Sequence, residues 1–108
     1  MKMIIAIVNN DDTADVCSAL TEENIMFTKV SSTGGFLKTG NTTLLIGIDD
    51  AYLQRALSTI EQHCATRSVS IPASTLVEQN PYDAYTSRDI TVGGATVFVL
   101  DAEQFIKY

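Results

Sequence analysis

Residues Met3–Val8 read Met-Ile-Ile-Ala-Ile-Val, an unbroken apolar run rich in β-branched side chains. A run this short favours a strand over a helix, and a strand that is apolar at every position is buried on both faces. Only two stretches have the spacing of amphipathic helices. Asp11, Asp12 and Thr13 are candidate N-caps for the first. Its apolar face is Ala14, Val16, Cys17 and Leu20, running to about Glu23 with Asn24 as the stop. Asp49 and Asp50 are expected to cap the second, whose Leu53, Ala56, Leu57, Ile60 and Cys64 fall at i, i+3, i+4, i+7 and i+11.

The remaining apolar runs read as strands. Ile25–Ser32 alternates, with Met26, Thr28 and Val30 on one face and Phe27, Lys29 and Ser31 on the other. Asn41–Ile48 centres on Leu44-Leu45-Ile46, and the glycine-punctuated connection before it, residues 33–41, predicts antiparallel pairing with the preceding strand. Ala65–Arg88 holds both prolines, Pro72 and Pro81, with weak periodicity, and is expected to be a long mobile loop. A short strand begins near Asp89, Gly93-Gly94 breaks it, and Ala95–Leu100 is a strong strand. Asp101–Phe105 reads as one capped helical turn. The order β-α-β-β-α-loop-β is the ferredoxin-like pattern of the α+β class: four antiparallel strands with two helices on one face. One helix layer leaves the other sheet face bare, yet several strands are apolar on both faces. Self-association is the economical way to cover it.

Composition narrows the function classes. With 108 residues the chain is one domain, residues 1–108, with no internal linker. Hydrophobic residues at 45% against 19% charged exclude bulk disorder. A net charge of −6 argues against phosphate-backbone binding, so no nucleic-acid partner is expected. No run approaches the roughly 20 apolar residues of a membrane helix. The apolar start lacks the length and cleavage site of a signal peptide, so a cytoplasmic location is expected, without membrane insertion. Cys17 and Cys64 sit on apolar helix faces as small core residues. His63 is the single histidine, so neither a zinc site nor a Ser-His-Asp triad has its parts, and no metal or cofactor is expected. No carboxylate–metal cluster or placed base points to an enzyme.

The residues suited to ligand binding lie at strand–turn junctions. Gly34 and Gly35 can present backbone N–H groups to an anion or a ring. Gly47 interrupts a strand between Ile46 and Ile48, which marks a bulge or the close approach of a ligand or backbone. Asn41 carries a carboxamide that matches the N1/N6 edge of adenine. Phe36 and Phe98 are flat surfaces for a ring. Thr28, Lys29 and Lys38 offer a hydroxyl and two ammonium groups.

The stretches Thr33-Gly34-Gly35-Phe36-Leu37-Lys38-Thr39-Gly40-Asn41-Thr42-Thr43 and Gly93-Gly94-Ala95-Thr96-Val97-Phe98-Val99-Leu100, together with Met1–Val8, closely resemble the PII-like cyclic di-AMP receptor family. The resemblance covers essentially the whole chain. It implies a cytosolic homotrimer with a nucleotide site between each pair of neighbouring subunits, and a protein target of unknown identity. It implies that Asn41 and Gly47 read one adenine edge, and that Thr28 and the backbone at Phe27 add contacts. Gly34, Gly35, Phe36 and Leu37 would close over the ligand, with Phe98 packed nearby. The long loop, 65–88, would change with ligand.

Two positions depart from the family pattern. Met26 stands where the family's receptors commonly carry arginine; losing a phosphate-forking guanidinium costs on the order of 1.5–3 kcal/mol. Lys107 replaces an uncharged polar residue and can supply a charge, as a point charge on a flexible stem. The alternative implied by Met26 is a PII-like sensor of ATP or ADP in the same cleft, with a transporter as the regulated target.

Overall fold

The computed structural model describes residues 1–31, 40–71 and 88–108. The elements are β1 (Lys2–Asn9), α1 (Asn10–Glu22), β2 (Thr28–Ser31), β3 (Asn41–Ile48), a 3-10 turn (Asp50–Tyr52), α2 (Leu53–Cys64), β4 (Arg67–Ile71), β5 (Arg88–Val92) and β6 (Ala95–Asp101). The main sheet has the order β2-β3-β1-β6 and every pairing in it is antiparallel. This is the ferredoxin-like arrangement expected from the element order. The apolar run Met3–Val8 lies in β1, with a strand on either side.

One face of the sheet is the core. Ile4, Ala6 and Val8 of β1 and Leu44, Ile46 and Ile48 of β3 are buried beneath Val16 and Leu20 of α1 and Ala56, Ile60 and Cys64 of α2. The strand period of two and the helix stripe meet here, so both periodicities resolve into one layer of side chains. The opposite face carries Met3, Ile5, Ile7 and Leu45, all half-buried, with Val30, Phe98 and Leu100 exposed.

Several local expectations give way to tertiary structure. The N-cap of α1 is Asn9, whose side chain accepts from the Asp11 N–H at 2.9 Å. Asp11 and Asp12 lie inside the first turn, and Asp12 is buried. The helix ends as expected near Asn24, which adopts φ +60°. The Ile25 N–H then donates to the Leu20 carbonyl at 2.9 Å, so Ile25–Phe27 belong to the helix stop and β2 starts only at Thr28. Before α2 the chain makes a 3-10 turn, where Asp49 makes no side-chain capping bond.

The span 65–88, expected as loop, carries the strand β4 near its start, and the short strand expected near Asp89 forms as β5. Arg67–Ile71 pairs antiparallel with Arg88–Val92, giving a separate two-stranded ribbon, and residues 72–87 between them lie outside the described residues. The tail after β6 is not helical. Asp101 does not cap a turn there, because Lys2, its register partner on β1, donates to its carboxylate.

Candidate functional site

The open face of the sheet orders the candidate residues in rows. Thr28, Leu45, Ile5 and Phe98 stand side by side on β2, β3, β1 and β6. Gly47, Met3 and Leu100 form a second row toward one end of the strands. Asn41 lies at the far end of the same β3 face. Neighbouring strands are spaced by about 4.8 Å, so Thr28 and Phe98 are about 14 Å apart across the sheet. Asn41 and Gly47 are separated by six residues of strand, about 20 Å. One copy therefore does not bring Asn41 and Gly47 to a single adenine edge. Phe27 is half-buried and packs against the helix-side core. Lys107 is exposed in the tail. Gly34, Gly35, Phe36 and Leu37, with Lys38, lie outside the described residues.

Thr28 and Gly47 do converge. They line a cleft of about 360 Å³ together with Met3, Leu45, Gln104 and Phe105. At its rim the Lys2 ammonium is held by Asp101, whose hydrogen bond raises the lysine above its ordinary value and in turn holds the aspartate below its own. The close approach expected at Gly47 comes from a side chain. A Cβ at this position would stand 2.9 Å from Phe105 Cε2 and 3.4 Å from Cδ2. Sequence reading missed Phe105. The glycine within a strand signalled that something comes near, but nothing in the chain's order named a residue so distant.

Gly47 also borders a second cleft, of about 490 Å³, lined by Met26, Asp49, Tyr52, Arg55 and Glu23. Met26 is 76% exposed here, so its thioether is presented outward rather than packed. Arg55 supplies the cleft's guanidinium. Its Nε lies 3.6 Å from Glu23 Oε2, and its Cζ is 5.6 Å from the centroid of the Tyr52 ring, within cation–π range.

The first turn of α1 ties down the roots of both connections. The Asn10 N–H donates to the Gly40 carbonyl at 2.7 Å, and Thr42 Oγ1 donates to Asn10 Oδ1 at 2.6 Å. Two residues on, Asp12 receives Arg67 at the start of β4: Nη2 to Oδ1 is 2.7 Å. That hydrogen bond holds the Arg67 guanidinium even further above neutrality than usual. Beneath it Cys64 is fully buried, and burial pushes its thiol up to about 11. Among the described residues no group of three or more His, Cys, Asp and Glu side chains is placed to hold a metal ion. No described helix is long and apolar enough to cross a membrane.

Comparison with known families gives the class of the chain. The model of a family described as cyclic-di-AMP receptor matches residues 1–108. The chain belongs to the cyclic-di-AMP receptor family. The family assignment agrees with the resemblance carried by the two glycine-containing motifs and the opening strand. A crystal structure of a functionally unknown protein from Pediococcus pentosaceus ATCC 25745 is also similar, with a TM-score of 0.81 and 34% identity. That match covers 99% of this chain and 96% of the other.

Proposed function

We propose that this receptor-family protein binds cyclic di-AMP in clefts between neighbouring copies of a cytoplasmic homotrimer. Binding alters the order of the 65–88 segment and so signals to a protein target. The observation that carries the ligand is the family match over the full chain. The spacing of the candidate residues supports the placement between copies. Asn41 and Gly47, about 20 Å apart on one strand, can share one adenine edge only if two chains contribute. Packing the open faces together would also cover Ile5, Leu45 and Phe98.

The reading involves no catalytic step. Signalling requires that the ligand contact two states of the protein differently, since equal affinity for both shifts nothing. In this arrangement Gly47 of one copy and Asn41 of a neighbour read one adenine edge, Thr28 and the Phe27 backbone add contacts, and Phe98 packs nearby. Gly34, Gly35, Phe36 and Leu37 close over it, and Lys107 adds charge from the tail.

Isothermal titration calorimetry with cyclic di-AMP, ATP and ADP in parallel tests the reading. The expected result is micromolar or tighter cyclic di-AMP binding near one ligand per subunit, with weak mononucleotide binding. Preference for ATP or ADP would overturn it in favour of an energy sensor, and Met26 would be the first residue to examine.

A further inference from the structure

Phe105 combines features that packing alone does not explain. Its ring stands against Gly47, with a Cβ-equivalent distance of 2.9 Å to Cε2 and 4.0 Å to Cζ, so the Cδ2–Cε2–Cζ edge is seated on bare backbone. A glycine inside a strand weakens that strand, because it contributes no side chain and loses the most backbone freedom on folding. The usual compensation would be a buried aromatic ring. Phe105, however, remains 59% exposed and lies outside the buried core cluster. The strand thus gives up a side chain to position a ring whose surface stays open. That surface lines the same 360 Å³ cleft as Thr28.

A flat, apolar surface held at one edge and open on the rest is suited to a flat, polarisable partner. Base–aromatic stacking supplies affinity without hydrogen-bond readout. We infer that Phe105 is a stacking platform for a purine base of the ligand, positioned by the missing side chain of Gly47. The inference rests on the functional reading above and deepens it by assigning a base contact to a tail residue. In it, Gly47 also acts through Phe105 as a positioning residue, and base identity is read by the contacts to the base edge, because every purine has a π face.

The test is calorimetry with cyclic di-AMP on the wild-type chain, Phe105→Leu and Phe105→Trp, with fluorescence on the last. Phe105→Leu keeps apolar bulk and removes the ring, and is expected to weaken binding at least about fivefold. The chain contains no tryptophan, so the indole of Phe105→Trp is the sole emitter of its kind. It is expected to bind cyclic di-AMP within a few-fold of wild type with its emission quenched on saturation. Binding by Phe105→Leu within twofold of a wild type that binds would overturn the inference. So would indole emission that changes on subunit assembly but not on ligand addition. Absence of binding by the wild type is a different result, which overturns the functional reading and this inference with it.

Discussion

The Arg67 guanidinium closes a fork on the Asp12 carboxylate, with Nη2 2.7 Å from Oδ1 and Nη1 3.4 Å from Oδ2. The two ends are unequal: Asp12 is 2% exposed, whereas the arginine side chain is 47% exposed. Removing the arginine strands a buried carboxylate; neutralising the aspartate leaves a cation that water can solvate. Arg67→Ala is therefore expected to lower the melting temperature more than Asp12→Asn does. Thermal unfolding of both variants checks this, and an equal or reversed order would show that carboxylate burial is not the governing cost.

Gly93 is committed to the same fork. Its φ is +78°, and a Cβ there would lie 2.6 Å from Arg67 Nη1 and 3.0 Å from Asp12 Oδ2. Gly93→Ala is expected to cost at least about 1–2 kcal/mol from the left-handed conformation, with a further loss from displacing the guanidinium. The second part disappears once Arg67 is absent. In a double-mutant cycle with Arg67→Ala, the losses are expected to sum to less than the separate effects. Strict additivity in chemical denaturation would place the strain in the backbone alone.

Gly47→Ala separates binding from stability. The new methyl meets the far edge of a half-exposed ring on the tail, which can swing away. The strand itself gains from a less flexible residue, by roughly 0.4–1 kcal/mol. Unfolding free energy is expected to change by less than about 1 kcal/mol while cyclic di-AMP affinity falls. Unchanged affinity in calorimetry would mean that the position of the Phe105 ring is irrelevant to the ligand.

Cys64 gives a signature at high pH. Burial pushes its thiol up to about 11 from an ordinary 9.0. Between these values the unfolded chain releases the proton and the folded chain keeps it, so stability falls as pH rises through the window. The cysteine's contribution has a slope of at most about 1.4 kcal/mol per pH unit. Cys64→Ala is expected to show a shallower decline between pH 9 and 11 in denaturant titrations. Identical slopes would remove Cys64 as the titrating group.

The bare sheet face predicts assembly. The wild type is expected to sediment at three times the 11.7 kDa chain mass. Ile5→Asp puts a charge in the middle of the Thr28–Leu45–Ile5–Phe98 row while leaving Ile4 and Ala6 in place on the core side. It is expected to shift the species toward monomer and to weaken ligand binding in parallel. A variant that stays trimeric would show that another surface holds the copies together.

Much of the scaffold was legible because it depends on neighbours in the chain. The apolar run in β1, the Leu44-Leu45-Ile46 run in β3 and the 53–64 stripe are each local patterns, and each element formed where its pattern runs. Capping was read less well. Asp11 and Asp12 look like caps by composition, but Asn9 is the residue whose backbone remains extended at the helix entrance, and Asp12 has a partner elsewhere. The strand near Asp89 was legible, but its partner β4 was not, because β4 is short and the residues that support it lie far off in the chain.

What the sequence determined by itself is therefore the two helices and the strands β1, β3 and β6, the α+β class and the candidate glycines and carboxamide, all of which follow from local propensity and spacing. The tertiary structure decided which of them meet. Asp12 found Arg67, Lys2 found Asp101, and Gly47 received Phe105. It also set Asn41 and Gly47 toward opposite ends of one extended strand. Such pairings depend on how the sheet orders distant segments, and a one-dimensional period carries no information about that order.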